Sequence, residues 1–378
     1  MIYLDNSATT AVCEKAREYA DYAFKTAWHN PSSLYRAGME AEALVSRTRA
    51  RVAECLHCQD NEIFFTGCGT ESNNTALFGA AEALKKRGNR IVTTAIEHPS
   101  VARAADELQK RGFEVVRLMP QKDGKVAVDD IEKAVNKDTV LVSIMLVNNE
   151  TGAVQSVDKV KEIIKKAGSP ALFHCDAVQA FGKMNIDVKA LGIDLLSASG
   201  HKLHAPKGVG VLYKRNGVNI PPLLFGGGQE HGFRSGTEAV PAIYALCGAI
   251  EQLEKPDSAL PKMKKLFGYA LKRLLSLDGV VLNSPEDALP YIINVSVTGY
   301  RSETLLHFLE ADGICVSSGS ACSKGAKSGV LTAMGLSNER ADSALRISFC
   351  QENEKEDIDA LCESIEKAQK RLKKSSKM

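Results

Sequence analysis

The chain has 378 residues, 44% of them apolar and 25% charged, a formal net charge of +2, and ten cysteines. These values exclude a disordered chain and a fibrous repeat, and they argue for a globular enzyme or binding protein of about two domains. The near-neutral balance argues against direct nucleic-acid binding, because basic residues cluster only at Lys370, Arg371, Lys373, Lys374 and Lys377, where a solvated helix tail is the plainer meaning.

Along the chain, residues 1–10 lack a basic segment followed by an apolar run, and no stretch of about 18 apolar residues occurs, so neither a signal peptide nor a membrane contact is expected. The cysteines then read as reduced thiols, and the expected location is cytoplasmic. Cys55 and Cys58 have CxxC spacing around His57, but no second pair follows, so no metal site is expected. A strand at 63–65 leads through a glycine-containing turn into a helix. Strands at 90–95 and 114–118 flank a helix at 100–111, and the β-branched run at 139–147 suits a buried strand. Strands at 171–175 and 195–198 complete a mainly parallel sheet wound through residues 60–215. From 249 to 277 the pattern is a long charged helix broken near Pro256 and Pro261. A strand at 292–297, a helix at 302–311, a Gly/Ser-rich loop and a final helix from about Glu354 follow. The expected division is a large α/β domain over 12–252 and a small α+β domain made of 1–11 and 253–378.

Three features carry chemistry. Ser199-Gly200-His201-Lys202 places a lysine just beyond a strand end, where open α/β sheets bind ligands, and lysine is the residue that forms a Schiff base with an aldehyde cofactor. Asp176 follows another strand; a carboxylate there suits a protonated pyridine nitrogen, while for Asp176 taken alone a cap on a helix starting near Ala177 is the plainer meaning. Thr66-Gly67-Cys68-Gly69-Thr70 opens a helix whose backbone N–H groups can cradle a phosphate, although neither the P-loop lysine nor GxGxxG is present.

Taken together, these pieces resemble the class V aminotransferase-like cysteine desulfurases of the NifS and IscS type. The matching segments are Tyr3-Leu4-Asp5-Asn6-Ser7-Ala8-Thr9-Thr10, Asn30-Pro31-Ser32-Ser33, Gly69-Thr70-Glu71-Ser72-Asn73-Asn74, Glu97-His98 and Val147-Asn148-Asn149-Glu150-Thr151-Gly152. They continue with His174-Cys175-Asp176-Ala177-Val178-Gln179, Ser199-Gly200-His201-Lys202, Arg234-Ser235-Gly236-Thr237, Ser318-Gly319-Ser320-Ala321-Cys322 and Leu345-Arg346-Ile347-Ser348.

The resemblance implies fold type I of the pyridoxal-phosphate enzymes: a large domain with a mainly parallel central sheet plus a small α+β domain. It implies pyridoxal 5'-phosphate in a Schiff base with Lys202, His98 stacked on its ring, Asp176 at the ring nitrogen, and Gln179 and Asn149 on the phenolic-oxygen side. Gly69, Thr70, Ser199 and His201 are then expected to bind the phosphate, Thr237 to reach the phosphate of a neighbouring subunit in a homodimer, and Arg346 to clamp the substrate carboxylate with Asn149 nearby. Seen singly, His98, Asn149 and Arg346 have structural alternatives, among them an interdomain ion pair for Arg346. Cys322 lies in a small-residue segment suited to a mobile loop, with Lys324 and Lys327 near enough to favour thiolate. It is the expected acceptor of sulfur from L-cysteine, with His98 as proton carrier, and the expected partner is a sulfur-acceptor protein of an iron-sulfur or tRNA-thiolation pathway. The sequence departs from the family pattern at Tyr35, at Cys68, after Cys322, and in the basic carboxyl end. A related lyase or aminotransferase and a non-catalytic binder on the same fold are the alternatives.

Overall fold

A computed structural model of the chain describes residues 1–318 and 328–374; Cys322 lies outside the described residues, as do Lys324 and Lys327. The chain opens with a two-residue strand, β1 (Ile2–Tyr3), and a main sheet follows. Its strands are β2 (Ile63–Thr66), β3 (Arg90–Thr94), β4 (Glu114–Leu118), β5 (Thr139–Ser143), β6 (Leu172–Asp176), β7 (Leu195–Ser199) and β8 (Gly210–Lys214). Across the sheet they run β2-β8-β7-β6-β5-β3-β4. The five strands from β7 to β4 are parallel, and β8 is antiparallel to both of its neighbours. Helices cover both faces of such a sheet, which is why β5 and β7 are buried at every residue and read as continuous apolar or small runs.

The helix Gly69–Leu84 packs on β5 and β7, and its small residues Ala76 and Ala80 permit the approach. On the other side of the core, helix Glu14–Thr26 packs along helix Val240–Gln252, with the Tyr19 and Tyr244 rings stacked 4.4 Å apart.

The last third of the chain forms β9 (Val280–Leu282), β10 (Ile292–Val297), β11 (Ile314–Cys315) and β12 (Ala344–Ser348). Strands β12, β10 and β9 make an antiparallel sheet, whereas β11 pairs in parallel with β1. Beyond β1, the Ser348 N–H donates to Leu4 O at 2.7 Å and the Asn6 N–H donates to Ser348 O at 3.2 Å. The first residues are thereby sewn to the carboxyl-terminal elements. Helix Lys355–Arg371 packs against Pro256–Leu275 and Ser302–Ala311.

The run over 139–147 ends earlier than expected, the expected break near Pro256 is present while that near Pro261 is not, and the CxxC spacing acquires a structural setting. The run expected as one strand over 139–147 leaves the ladder after Ser143, yet the Ile144 and Leu146 N–H groups still donate to the carbonyls of His174 and Asp176. The charged region is two helices, Val240–Gln252 and Pro256–Leu275. Pro256 starts the second in the first turn, where its missing N–H has no partner to lose, and Pro261 is accommodated inside it. Around the CxxC spacing, His57 takes φ 55 and ends helix Arg36–Leu56, its N–H donating back to Ala53 and Glu54 carbonyls. Those cysteines therefore flank a left-handed helix cap.

Candidate active site

Segments leaving the carboxyl ends of β3, β5, β6 and β7 meet the start of helix Gly69–Leu84 around a cavity of about 220 Å³. Carboxyl ends are where parallel sheets open into crevices, since each chain must leave the ladder there in a different direction. Gly69, Thr70, His98, Asn149, Asp176, Gln179, Ser199, His201, Lys202 and Arg346 all line this one cavity. Thr237 does not; it is exposed and outside the lining.

One end of the cavity has the character of an anion cradle. The helix starts at Gly69 with free N–H groups, and Cys68 as its N-cap offers no side-chain bond to them. A Cβ on Gly69 would fall 2.9 Å from Val178 Cγ2 and 3.3 Å from Ser199 Cβ, so only glycine lets the helix start seat against β7. Ser199 Oγ is buried without a hydrogen-bond partner among the described residues. A buried hydroxyl facing unpaired helix N–H groups suits a phosphate that accepts from both. Glu71 braces the preceding turn, accepting from the Gly67 N–H at 2.8 Å and pairing with Arg234 Nε at 2.7 Å.

Lys202 ends the single turn Gly200–Lys202 beyond β7. Its Nζ donates to Ser7 O at 2.6 Å and to Ala8 O at 2.7 Å, so the amino-terminal segment positions the amine. Asp176, the last residue of β6, divides its oxygens: Oδ1 accepts from the Val178 N–H at 3.0 Å and Oδ2 from Asn73 Nδ2 at 2.7 Å. No helix begins at Ala177; the chain continues in turns, so the capping alternative reduces to an Asx turn made by one oxygen.

His98 caps helix Pro99–Lys110. Its Nδ1 accepts from the Ser100 N–H at 3.1 Å and contacts Ser100 Oγ at 2.8 Å. An accepting Nδ1 leaves the neutral ring's proton on Nε2. Burial, partly countered by the Asp176 charge, lowers the His98 pKa, so the ring is neutral near pH 7. His201 is pushed down to about 4, mainly by burial, with Lys202 adding to the effect; its Nδ1 lies 3.2 Å from Thr9 Oγ1.

At the other end, Arg346 is 1% exposed, and its ion pair is with Asp5, which falls in the same expected domain, so the interdomain ion pair is not what it forms. Nη2 donates to Asp5 Oδ1 at 2.7 Å and Nη1 to Asn149 O at 3.1 Å, while Nε is buried without a partner. The guanidinium is thus held in place with donor capacity left over. Arg346 also exchanges backbone hydrogen bonds with Ser317, and Ser328 donates to Glu150, next to Asn149.

Sequence reasoning missed several neighbours. Asn73 and the Ser7 and Ala8 carbonyls lay inside the quoted motifs without a role assigned. Glu97 is buried, with Oε1 accepting from Thr94 and Met145 and Oε2 without a partner among the described residues, and burial pushes its pKa up to about 8. Lys183 lies four residues after Gln179, the one signal that could have drawn attention to it.

A family model described as aminotransferase class-V matches residues 2–361. A cysteine desulfurase IscS of Clostridium botulinum is 41% identical over 99% of this chain and 96% of its own length. One from Methanosarcina thermophila is 40% identical over 99% of this chain and 93% of its own. A solved structure of a NifS-like protein superposes with a TM-score of 0.93 at 39% identity, covering 98% of this chain and all of its own.

Proposed function

We propose how this chain, which belongs to the class-V aminotransferase family and is a pyridoxal-phosphate-dependent cysteine desulfurase, performs its reaction: Lys202 holds the cofactor and Cys322 receives the sulfur. Gly69, Thr70, Ser199 and His201 hold the phosphate, Asp176 the ring nitrogen, His98 the ring face, and Asn149 and Gln179 the phenolic-oxygen side. When bound, the cofactor supplies an electron sink that acidifies the substrate Cα–H bond. Lys202 Nζ takes that Cα proton, while Arg346, already anchored by Asp5, orients L-cysteine through its carboxylate.

The Cys322 thiolate attacks the substrate sulfur, forming an S–S bond as the Cβ–S bond breaks. The electron pair of that bond goes to the three-carbon fragment, which leaves as L-alanine after protonation, and Cys322 keeps a persulfide. His98 relays protons: its Nε2–H is given toward the fragment and the substrate thiol proton replaces it. The observation that supports this most is the convergence of Lys202, Asp176, His98 and the Gly69 cradle on one cavity.

Borohydride treatment of the purified protein, followed by peptide mass analysis, tests the assignment of Lys202. A cofactor mass fixed on the Lys202 peptide is expected; fixation on another lysine refutes it.

Four further parts belong to the proposal. Residues 12–252 form the large domain, and 1–11 with 253–378 the small one, which the pairing of β1 with β11 supports. The protein works as a homodimer in which Thr237 reaches the phosphate of the second copy. Exposed Trp28, Leu34 and Phe225, 66%, 95% and 82% accessible, support a covered surface. It acts in the cytoplasm. The persulfide passes to an acceptor protein, an iron-sulfur scaffold or a tRNA-thiolation protein.

A further inference from the structure

Lys183 plays no part in the mechanism above, yet it is only 8% exposed and shares a second small cavity with Lys202, Tyr291 and Cys350. Among the described residues no carboxylate pairs with it; its Nζ donates to Gln179 Oε1 at 3.3 Å and sits 5.8 Å from the Tyr291 ring centroid. Burying an unpaired cation is costly. What lysine supplies here that an apolar chain of equal volume lacks is a set of N–H donors.

Those donors act on an amide with two unlike ends. Gln179 Nε2 donates to Ser7 O at 3.0 Å, and Lys202 Nζ donates to the same carbonyl at 2.6 Å. A primary amide flips between donor and acceptor ends unless a neighbour discriminates between them. An ammonium has three donors and no acceptor, so its bond to Oε1 holds the oxygen away from Ser7 and turns the NH₂ group toward the Ser7 carbonyl.

We infer that Lys183 is a positioning residue: through Gln179 it fixes an amide N–H toward Ser7 and the cavity, and so sets the donor environment of Lys202 and of the cofactor's phenolic oxygen. The inference rests on the cofactor site proposed above. The charged or titratable groups facing Lys183 are Lys202, Arg346, Cys350, His201 and His204. Burial first, then Lys202, pushes Lys183 down to about 7, so the discriminating ammonium form is present below neutrality and declines above it.

The test is a pH titration of the bound cofactor's visible absorbance, without substrate, in the wild type, Lys183→Met, Gln179→Leu and the double variant. An N–H donated to the phenolic oxygen stabilises the deprotonated chromophore, so its loss raises the midpoint, by about half to one pH unit. Lys183→Met and Gln179→Leu should shift the midpoint alike, and the double variant no further than Gln179→Leu alone. Lys183→Leu serves as a second neutral replacement if Lys183→Met does not accumulate. A midpoint unmoved by either Lys183 replacement, or shifts that add in the double variant, overturns the role of Lys183 and leaves the cofactor site standing. A wild type without the band, or a band that survives Lys202→Ala, overturns the cofactor site and this inference with it.

Discussion

Replacing Gly69 with alanine probes the anion cradle with one methyl group. On the native backbone the new Cβ falls 2.9 Å from Val178 Cγ2, 3.3 Å from Ser199 Cβ and 3.8 Å from Ala198 O. The first contact is well inside the optimal carbon separation of about 3.5–4.0 Å. Val178 is β-branched and has few rotamers to escape into, and its backbone N–H is held by Asp176. Relief must come from moving the helix start or the 176–179 turn. Overpacking of this kind costs about 1–3 kcal/mol, and the better helix propensity of alanine returns up to about 1 kcal/mol. Folding is thus left with a net loss of up to about 3 kcal/mol, and both routes of relief displace phosphate ligands. A loss of about 1.4 kcal/mol in binding, tenfold in dissociation constant, is the expected minimum. Absorbance titration of the cofactor-free variant with pyridoxal phosphate, beside its melting temperature, measures both terms. An affinity within about twofold of wild type would place the phosphate elsewhere.

Two other outcomes follow from buried groups. Glu97 has a folded pKa of about 8 against an ordinary value of 4.5, so the native state keeps a proton that the unfolded chain releases. The stability it contributes is full below pH 4.5 and is lost as pH rises toward 8. Glu97→Gln cannot titrate, and its stability relative to wild type should therefore climb across that range and level off above it; parallel melting-temperature curves contradict the assignment. Arg346→Lys loses the forked donor, and the KM for L-cysteine should rise about tenfold or more while the cofactor absorbance stays unchanged. An unchanged KM would confine Arg346 to joining Asp5 with Asn149.

The strands that position the site were legible because burial on both faces leaves apolar runs, and the motif residues at their ends follow at once: Asp176 closes β6, and Ser199-Gly200-His201-Lys202 leaves β7. Less legible was anything set by distant backbone. The amine of Lys202 is placed by the carbonyls of Ser7 and Ala8, nearly two hundred residues away, and a carbonyl has no residue signature. Asn73 looked like an ordinary helix residue until the sheet brought Asp176 to 2.7 Å from it. The run over 139–147 hid its own end, because the residues after Ser143 remain buried while the pairing pattern changes. Arg346 needed the fold to show that an ion pair with Asp5 and a cavity-facing position coexist in one side chain.

The most direct test of the desulfurase mechanism is a single-turnover reaction with L-cysteine, counting alanine formed and locating persulfide by labelled peptide mapping. One alanine per persulfide, with the persulfide on Cys322 and both lost in Lys202→Ala, is the expected result. Alanine formed without sulfur on Cys322, or persulfide located instead on cavity-lining Cys68, would contradict it.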